Sequence, residues 1–201
     1  MYDFKGKHVL VTGAARGIGY EIARLFKQAG AAVTLWDIHA GNLQGAVDCL
    51  SKENDIPVYS DVVDICKKVD VDAATERAWD SQPIDVLINN AGIAMETPFL
   101  KISEAEWRSV LDVNLTGFFL VSQAVTTRMV SRKAGCVVNM SSKNGLDGEI
   151  GYAHYNASKA GIVMLTRMPM TATTTSNSTS VKPCLRFMFL PEKKRRYASD
   201  I

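Results

Sequence analysis

Two hydrophobic periods alternate along the first 167 positions. Short, nearly unbroken apolar runs predict strands at 7–12, 31–37, 56–60, 85–89 and 136–141. Between them, apolar residues three and four apart predict helices. Ile18, Ile22, Leu25 and Phe26 share one face of a helix over 17–29, which Gly30 stops. Further helices are expected near 41–52, 64–80 and 103–132, and a last one starts near Tyr152. Five such alternations, with strands apolar throughout, imply a parallel sheet covered by helices on both faces. Right-handed crossovers then give a doubly wound, three-layer α/β/α fold of the Rossmann type.

The pattern breaks after Arg167. Pro169 interrupts the helix, because proline disfavours a helical residue before it and donates no hydrogen bond. Residues 168–180 hold eight Ser/Thr in thirteen positions and no apolar period, the composition of an unstructured linker or tail. The run from Cys184 to Leu190, bounded by Pro183 and Pro191, reads as an orphan strand with no visible partner. The expected organisation is therefore one dinucleotide-binding domain over 1–167 and an atypical, disordered basic tail over 168–201.

Composition adds little until charge is divided along the chain. Hydrophobic residues make up 47% and charged residues 22%, values of an ordinary globular protein. The net charge of +2 splits into −2 over 1–167 and +4 over 168–201, where Lys193, Lys194, Arg195 and Arg196 are consecutive. That run reads as a solvated tail, with a nuclear address or an anionic surface as alternatives. No apolar run approaches a membrane span, and no secretory signal precedes the first strand. Cys49, Cys66, Cys136 and Cys184 have no metal-ligand spacing, so no metal site is expected. Reduced thiols in a cytoplasmic protein are the expected state of these cysteines, with two disulfides as the alternative. Neither nucleic acid nor membrane is expected as a partner.

The candidate chemistry begins in the first turn. Gly13, Gly17 and Gly19 follow a strand and open a helix, with Arg16 and Ile18 between them. Glycines there permit close backbone approach, and a helix N-terminus presents unpaired N–H groups to a pyrophosphate. Asp37, at the end of the second strand, is placed to bind ribose hydroxyls, which favours NAD; Arg16 argues for NADP, the weaker reading. Asp61 and Val62, just after the third strand, are candidates for the adenine amino group, or else a helix cap.

Tyr155 and Lys159 are four residues apart and share a helix face. A tyrosine ionises near pH ~10, and an adjacent ammonium is expected to lower that value toward the range useful for acid–base catalysis. Ser142 ends the fifth strand, where its hydroxyl can reach a substrate oxygen.

Taken together, the glycine turn, Asn89-Asn90-Ala91-Gly92, Ser142 and the Tyr155/Lys159 pair resemble the short-chain dehydrogenase/reductase family over about residues 5–167. The resemblance implies that Tyr155 is the acid–base, that Lys159 binds the nicotinamide ribose and tunes Tyr155, and that Ser142 orients the substrate oxygen. It further implies that Asn114 supports a proton relay, and that Asn89, Ala91 and Gly92 steady the sheet and line the cofactor cleft. Ser141 is expected to point away. The implied reaction is hydride transfer between a nicotinamide cofactor and a small-molecule secondary alcohol or ketone. Lys143, Asn144, Asp147, Glu149, His154 and Glu96 suggest a sugar or polyol.

The family's helix continues past the position of Arg167 and leads into two more strands and a substrate lid. Their absence from this pattern reads as a truncation or frame shift. It leaves the sheet incomplete on the C-terminal side and weakens the homo-oligomer that the family implies. The alternative function is then an inactive isoform that binds nucleotide weakly or joins other subunits.

Overall fold

The computed structural model describes residues 3–167 and the backbone of 186–188. Strands β1 (His8–Thr12), β2 (Ala32–Asp37), β3 (Val58–Val62), β4 (Val86–Asn89), β5 (Cys136–Met140) and β6 (Arg186–Met188) form one parallel sheet in the order β3-β2-β1-β4-β5-β6. Helices α1 (Gly17–Gln28), α2 (Ala40–Ser51), α3 (Lys68–Ser81), α4 (Glu104–Leu111), α5 (Phe118–Arg132) and α6 (Ala153–Arg167) cover it. This is the doubly wound Rossmann-type fold that the alternation predicts.

Period-2 alternation sends side chains to two cores. Val9, Val11, Val33 and Leu35 pack with Ala23 of α1 and with Leu43, Ala46 and Leu50 of α2. On the other face, Leu10, Trp36 and Leu87 pack with Val71 and Ala74 of α3 and with Val121, Val125 and Met129 of α5. Removing this apolar surface from water is the main stabilising contribution to the fold.

Four boundaries or contacts differ from the expectation. Strand β3 starts and ends two residues later than the 56–60 reading, since Pro57 contributes only its carbonyl to Val33. Helix α3 starts at Lys68 instead of 64, because Asp64 Oδ1 accepts the Cys66 amide and holds a turn there. The expected helix over 103–132 contains a wide π-type turn, Asp112–Gly117, between α4 and α5. The span Glu104–Arg132 is also long and apolar enough to cross a membrane by length and composition alone, unlike the reading above. It nevertheless contributes Val110, Phe118, Val121, Val125 and Met129 to the buried interior.

The segment read as an orphan strand has a partner: Arg186, Phe187 and Met188 pair in parallel with Val138, Asn139 and Met140 of β5. Apart from these three residues, the expected disordered tail over 168–201 lies outside the described residues.

Candidate active site

The carboxyl ends of β1, β2, β4 and β5 open onto a cavity of about 510 Å³, the place where open parallel sheets bind ligands. Its floor is the turn from β1 into α1. Gly13 and Gly17 have φ of +64° and +59°, which glycine adopts without strain. A Cβ on Gly19 would lie 2.2 Å from the Gly13 oxygen, so only glycine lets α1 start this close to the turn. No side chain caps the first turn of α1, leaving its amides to a ligand. This backbone cradle, with uncapped amides aimed from a helix N-terminus, fits a dinucleotide pyrophosphate.

Arg16, Gly17, Ile18 and Gly19 line one side of the cavity, and Trp36, Asp37, Ile38 and His39 line the next. Asp37 is fixed there by two backbone donors, the amides of Ala15 and His39, each at 3.0 Å. Ala91, Gly92, Val113, Tyr155 and Lys159 line the far end.

Three expected cofactor residues are placed elsewhere. Asp61 and Val62 lie inside β3 and are absent from the cavity wall, which is built instead from Val63, Asp64, Ile65 and Cys66. The Asp61 carboxylate turns to Arg77 of α3 at 2.7 Å, and Val62 is exposed. Asn89 is buried beneath the cleft, where its amide donates to Ser122 and Asn139, both at 2.9 Å. The neighbouring Asn90 has the more direct role. Its amide nitrogen donates to the carbonyls of Thr12 and Gly13, and the Thr12 hydroxyl accepts the amides of Asn90 and Ala91. Asn90 and Thr12 thus tie the glycine turn to the end of β4. The doubled asparagine after an apolar strand was the available signal, although pattern alone does not say which of the pair faces the turn.

The catalytic candidates converge on α6. Lys159 is buried; its Nζ donates to the Met140 carbonyl at 2.9 Å and lies 5.5 Å from the centre of the Tyr155 ring. Burial pulls its pKa down to about 8. The Tyr155 phenol shifts upward, chiefly because burial disfavours the phenolate, with Glu149 adding to this and a hydrogen bond with Ser142 opposing it. Burial sets this direction, and Lys159 is not among its causes. Ser142 is absent from the cavity lining and reaches the site through that hydrogen bond, while also donating to Asn144 Oδ1 at 3.2 Å. Ser141, expected to point away, is itself part of the cavity lining, and its hydroxyl donates to the Lys159 carbonyl at 3.3 Å.

Asn114 sits in the π-type turn and is fully buried. Its side chain exchanges two hydrogen bonds with the backbone of Ile93, both at 2.8 Å, and donates to Ser158 at 3.0 Å. Around the mouth, Asn144 donates to Glu149 and Asn156, and the Tyr152 hydroxyl donates to Glu96. Sequence reading missed Glu106, whose carboxylate meets buried His154 at 3.0 Å and accepts from Thr97.

Known proteins resemble this chain in sequence and fold. The short chain dehydrogenase family model matches residues 7–181. The 5-keto-D-gluconate 5-reductase of Escherichia coli K12 is 42% identical over 168 residues, covering 83% of this chain and 66% of the relative. A 3-oxoacyl-acyl-carrier-protein reductase of Chlamydia trachomatis serovar D is 39% identical over 158 residues, covering 78% and 64%. The chain thus spans just under two thirds of the length of these relatives. Among solved structures, NAD⁺-bound xylitol dehydrogenase superposes with a TM-score of 0.78 at 32% identity, covering 81% of this chain and 63% of that one. With the glycine cradle, the sheet order and the Tyr155/Lys159 face, these matches establish that the chain belongs to the short chain dehydrogenase family.

Proposed function

We propose that this protein is an NAD(P)-dependent oxidoreductase that interconverts a secondary alcohol and its ketone, with Tyr155 as the acid–base group. The observation that carries the reading is the buried Lys159 ammonium facing Tyr155 at the end of the cavity. A bound nicotinamide cofactor supplies the hydride chemistry. The chain's own part is placement and proton transfer. Gly13, Arg16, Gly17, Ile18 and Gly19 would hold the pyrophosphate, and Ala91 and Gly92 the wall beside it. Asp37 disfavours a phosphate on the ribose, so NAD is the preferred cofactor.

Tyr155 holds or releases a proton at the substrate oxygen, and Ser142 orients that oxygen with its hydroxyl. Lys159 stabilises the phenolate once a substrate and cofactor have closed the site to water. Asn114 fixes the wall behind Gly92 and, through Ser158, the helix that carries Tyr155. The polar mouth formed by Glu96, Asn144, Glu149 and Asn156 suits a sugar or polyol. The 5-keto-D-gluconate reductase and xylitol dehydrogenase relatives support that substrate class. The free thiols of Cys49 and Cys66 suit a reducing, cytoplasmic setting.

The test is NADH formation by the 201-residue protein with gluconate and xylitol, beside a thermal melt with NAD. Turnover that Tyr155→Phe lowers by about a thousandfold supports the proposal. A melting temperature raised by NAD without turnover leaves the alternative, a nucleotide-binding or subunit-interaction protein.

A further inference from the structure

Both peptide groups of Tyr155 are held by side chains tied to the same long helix. On its carbonyl side, the Ser158 hydroxyl donates to Tyr155 O at 2.8 Å, and Asn114 donates to Ser158. On its amide side, the Tyr155 N–H donates to His154 Nδ1 at 3.0 Å, and His154 Nε2 meets Glu106 Oε1 at 3.0 Å. Asn114 and Glu106 lie eight positions apart on that helix.

The amide needs this help for a specific reason. Tyr155 is the third residue of α6, so its N–H is one of the first-turn amides that find no carbonyl within the helix, and the Gly151 carbonyl four residues back accepts the Thr97 amide at 2.8 Å instead. His154 takes its place as acceptor. An imidazole that accepts at Nδ1 carries its proton on Nε2, and the hydrogen-bond network assigns that proton to the Glu106 carboxylate. Thr97 donates its hydroxyl to the same carboxylate, so the loop after β4 and the start of α6 share one anchor. His154 is fully buried, and no step of the proposed chemistry uses it.

We propose that His154 and Glu106 are positioning residues for the acid–base phenol: the imidazole fixes the Tyr155 amide and Glu106 fixes the imidazole. This rests on the dehydrogenase reading of the site. The pair is the amide-side counterpart of Ser158 and Asn114. Holding the backbone on both sides of Tyr155 limits rotation of α6's first turn, and with it the displacement of the phenol from Ser142.

Two replacements divide the role. His154→Asn puts an amide oxygen where Nδ1 stands and gives up Glu106; His154→Gln reaches toward Glu106 and leaves the Tyr155 N–H without its acceptor. The expected result is kcat within about threefold of wild type for His154→Asn. For His154→Gln, kcat falls on the order of tenfold or more, with an unchanged KM for NAD and a displaced Tyr155 limb in the pH–rate profile. Glu106→Gln, which keeps an acceptor oxygen, should resemble His154→Asn. Equal kcat in the two His154 variants, or losses that simply track lowered melting temperatures, would overturn the assignment.

If wild type shows no turnover, the dehydrogenase reading fails, and NMR titration of the ¹³C-labelled Tyr155 ring, assigned by its loss in Tyr155→Phe, still decides the positioning role. A Tyr155 titration displaced in His154→Gln and unchanged in His154→Asn supports the proposal. Identical titrations in both would sink it.

Discussion

Lys159 and Tyr155 face one another along α6 with the Lys159 nitrogen 5.5 Å from the phenol ring centre, yet it is the Met140 carbonyl that accepts the ammonium. The lysine is thus anchored to the end of β5 before any ligand arrives. Its position is set by the fold, and its charge is kept in a place that disfavours it.

That placement predicts a pH-dependent conflict between stability and activity. The folded pKa of Lys159 is about 8, below its ordinary value of 10.5, so the unfolded chain holds more protons between these limits. Stability should therefore rise with pH from about 8 to 10.5 as the buried amine becomes neutral. Lys159→Met removes the buried charge. Its melting temperature relative to wild type should fall across that window, and its turnover should be lower by about a hundredfold or more at any pH. Parallel melting curves from pH 8 to 10.5 would contradict the burial argument.

Asp37 predicts cofactor choice. Its carboxylate is held on the cavity wall by the amides of Ala15 and His39. Asp37→Ser removes the negative charge and frees two backbone donors, while Arg16 remains nearby. The ratio of NADP to NAD affinity, measured by NADPH and NADH fluorescence, should rise by roughly tenfold or more.

The glycine turn predicts two unequal alanine substitutions. At Gly19 the added methyl would meet the Gly13 oxygen at 2.2 Å and Asn90 Nδ2 at 2.5 Å, so the turn must open. Gly19→Ala should cost about 3 kcal/mol in urea unfolding and abolish the NAD-dependent rise in melting temperature. At Gly17 nothing lies within 4 Å, and only the positive φ is strained. Gly17→Ala should cost about 1 kcal/mol.

His8 predicts an acid limit to stability. It is buried between the Gln82 carbonyl at 2.6 Å and the Thr34 hydroxyl at 2.7 Å, with the Tyr59 ring and the Asp85 carboxylate also against it. Burial lowers its pKa despite Gln82 and Asp85. The unfolded chain then binds the extra proton first, so stability is fully present above pH ~6.5 and is lost as pH falls below it. Melting temperatures of His8→Gln should fall less steeply than wild type from pH 6.5 to 5.

Much of this was readable before any coordinates because it depends on local periods and on spacing along one element. The strand–helix alternation fixed the layers, the glycines after β1 fixed the cradle, and four-residue spacing put Tyr155 and Lys159 on one face. What escaped depends on distant pairs. Lys27 of α1 is fully buried, with its amine bonded to Asn54 and Ile56 in the α2–β3 connection, a pairing that no local period signals. Asp61 reads as a candidate for the adenine amino group or a helix cap, and its ion pair with Arg77 of α3 is not signalled by spacing. Nothing in its spacing tells that Glu106 reaches His154, forty-eight positions later.

The wide turn at Asp112–Gly117 also makes the long helix sensitive to length as well as to composition. Each residue of an α-helix advances the chain by about 100°, so the turn acts as a rotational spacer between two faces that serve different ends. Upstream, Glu106 and Val110 face the start of α6 and the interior. Downstream, Val121, Val125 and Met129 pack against the sheet. Deleting one residue inside the turn would leave every side chain's chemistry intact and swing one face out of register with the other. A change in the count of residues between Glu106 and Val121 would therefore disturb both faces at once.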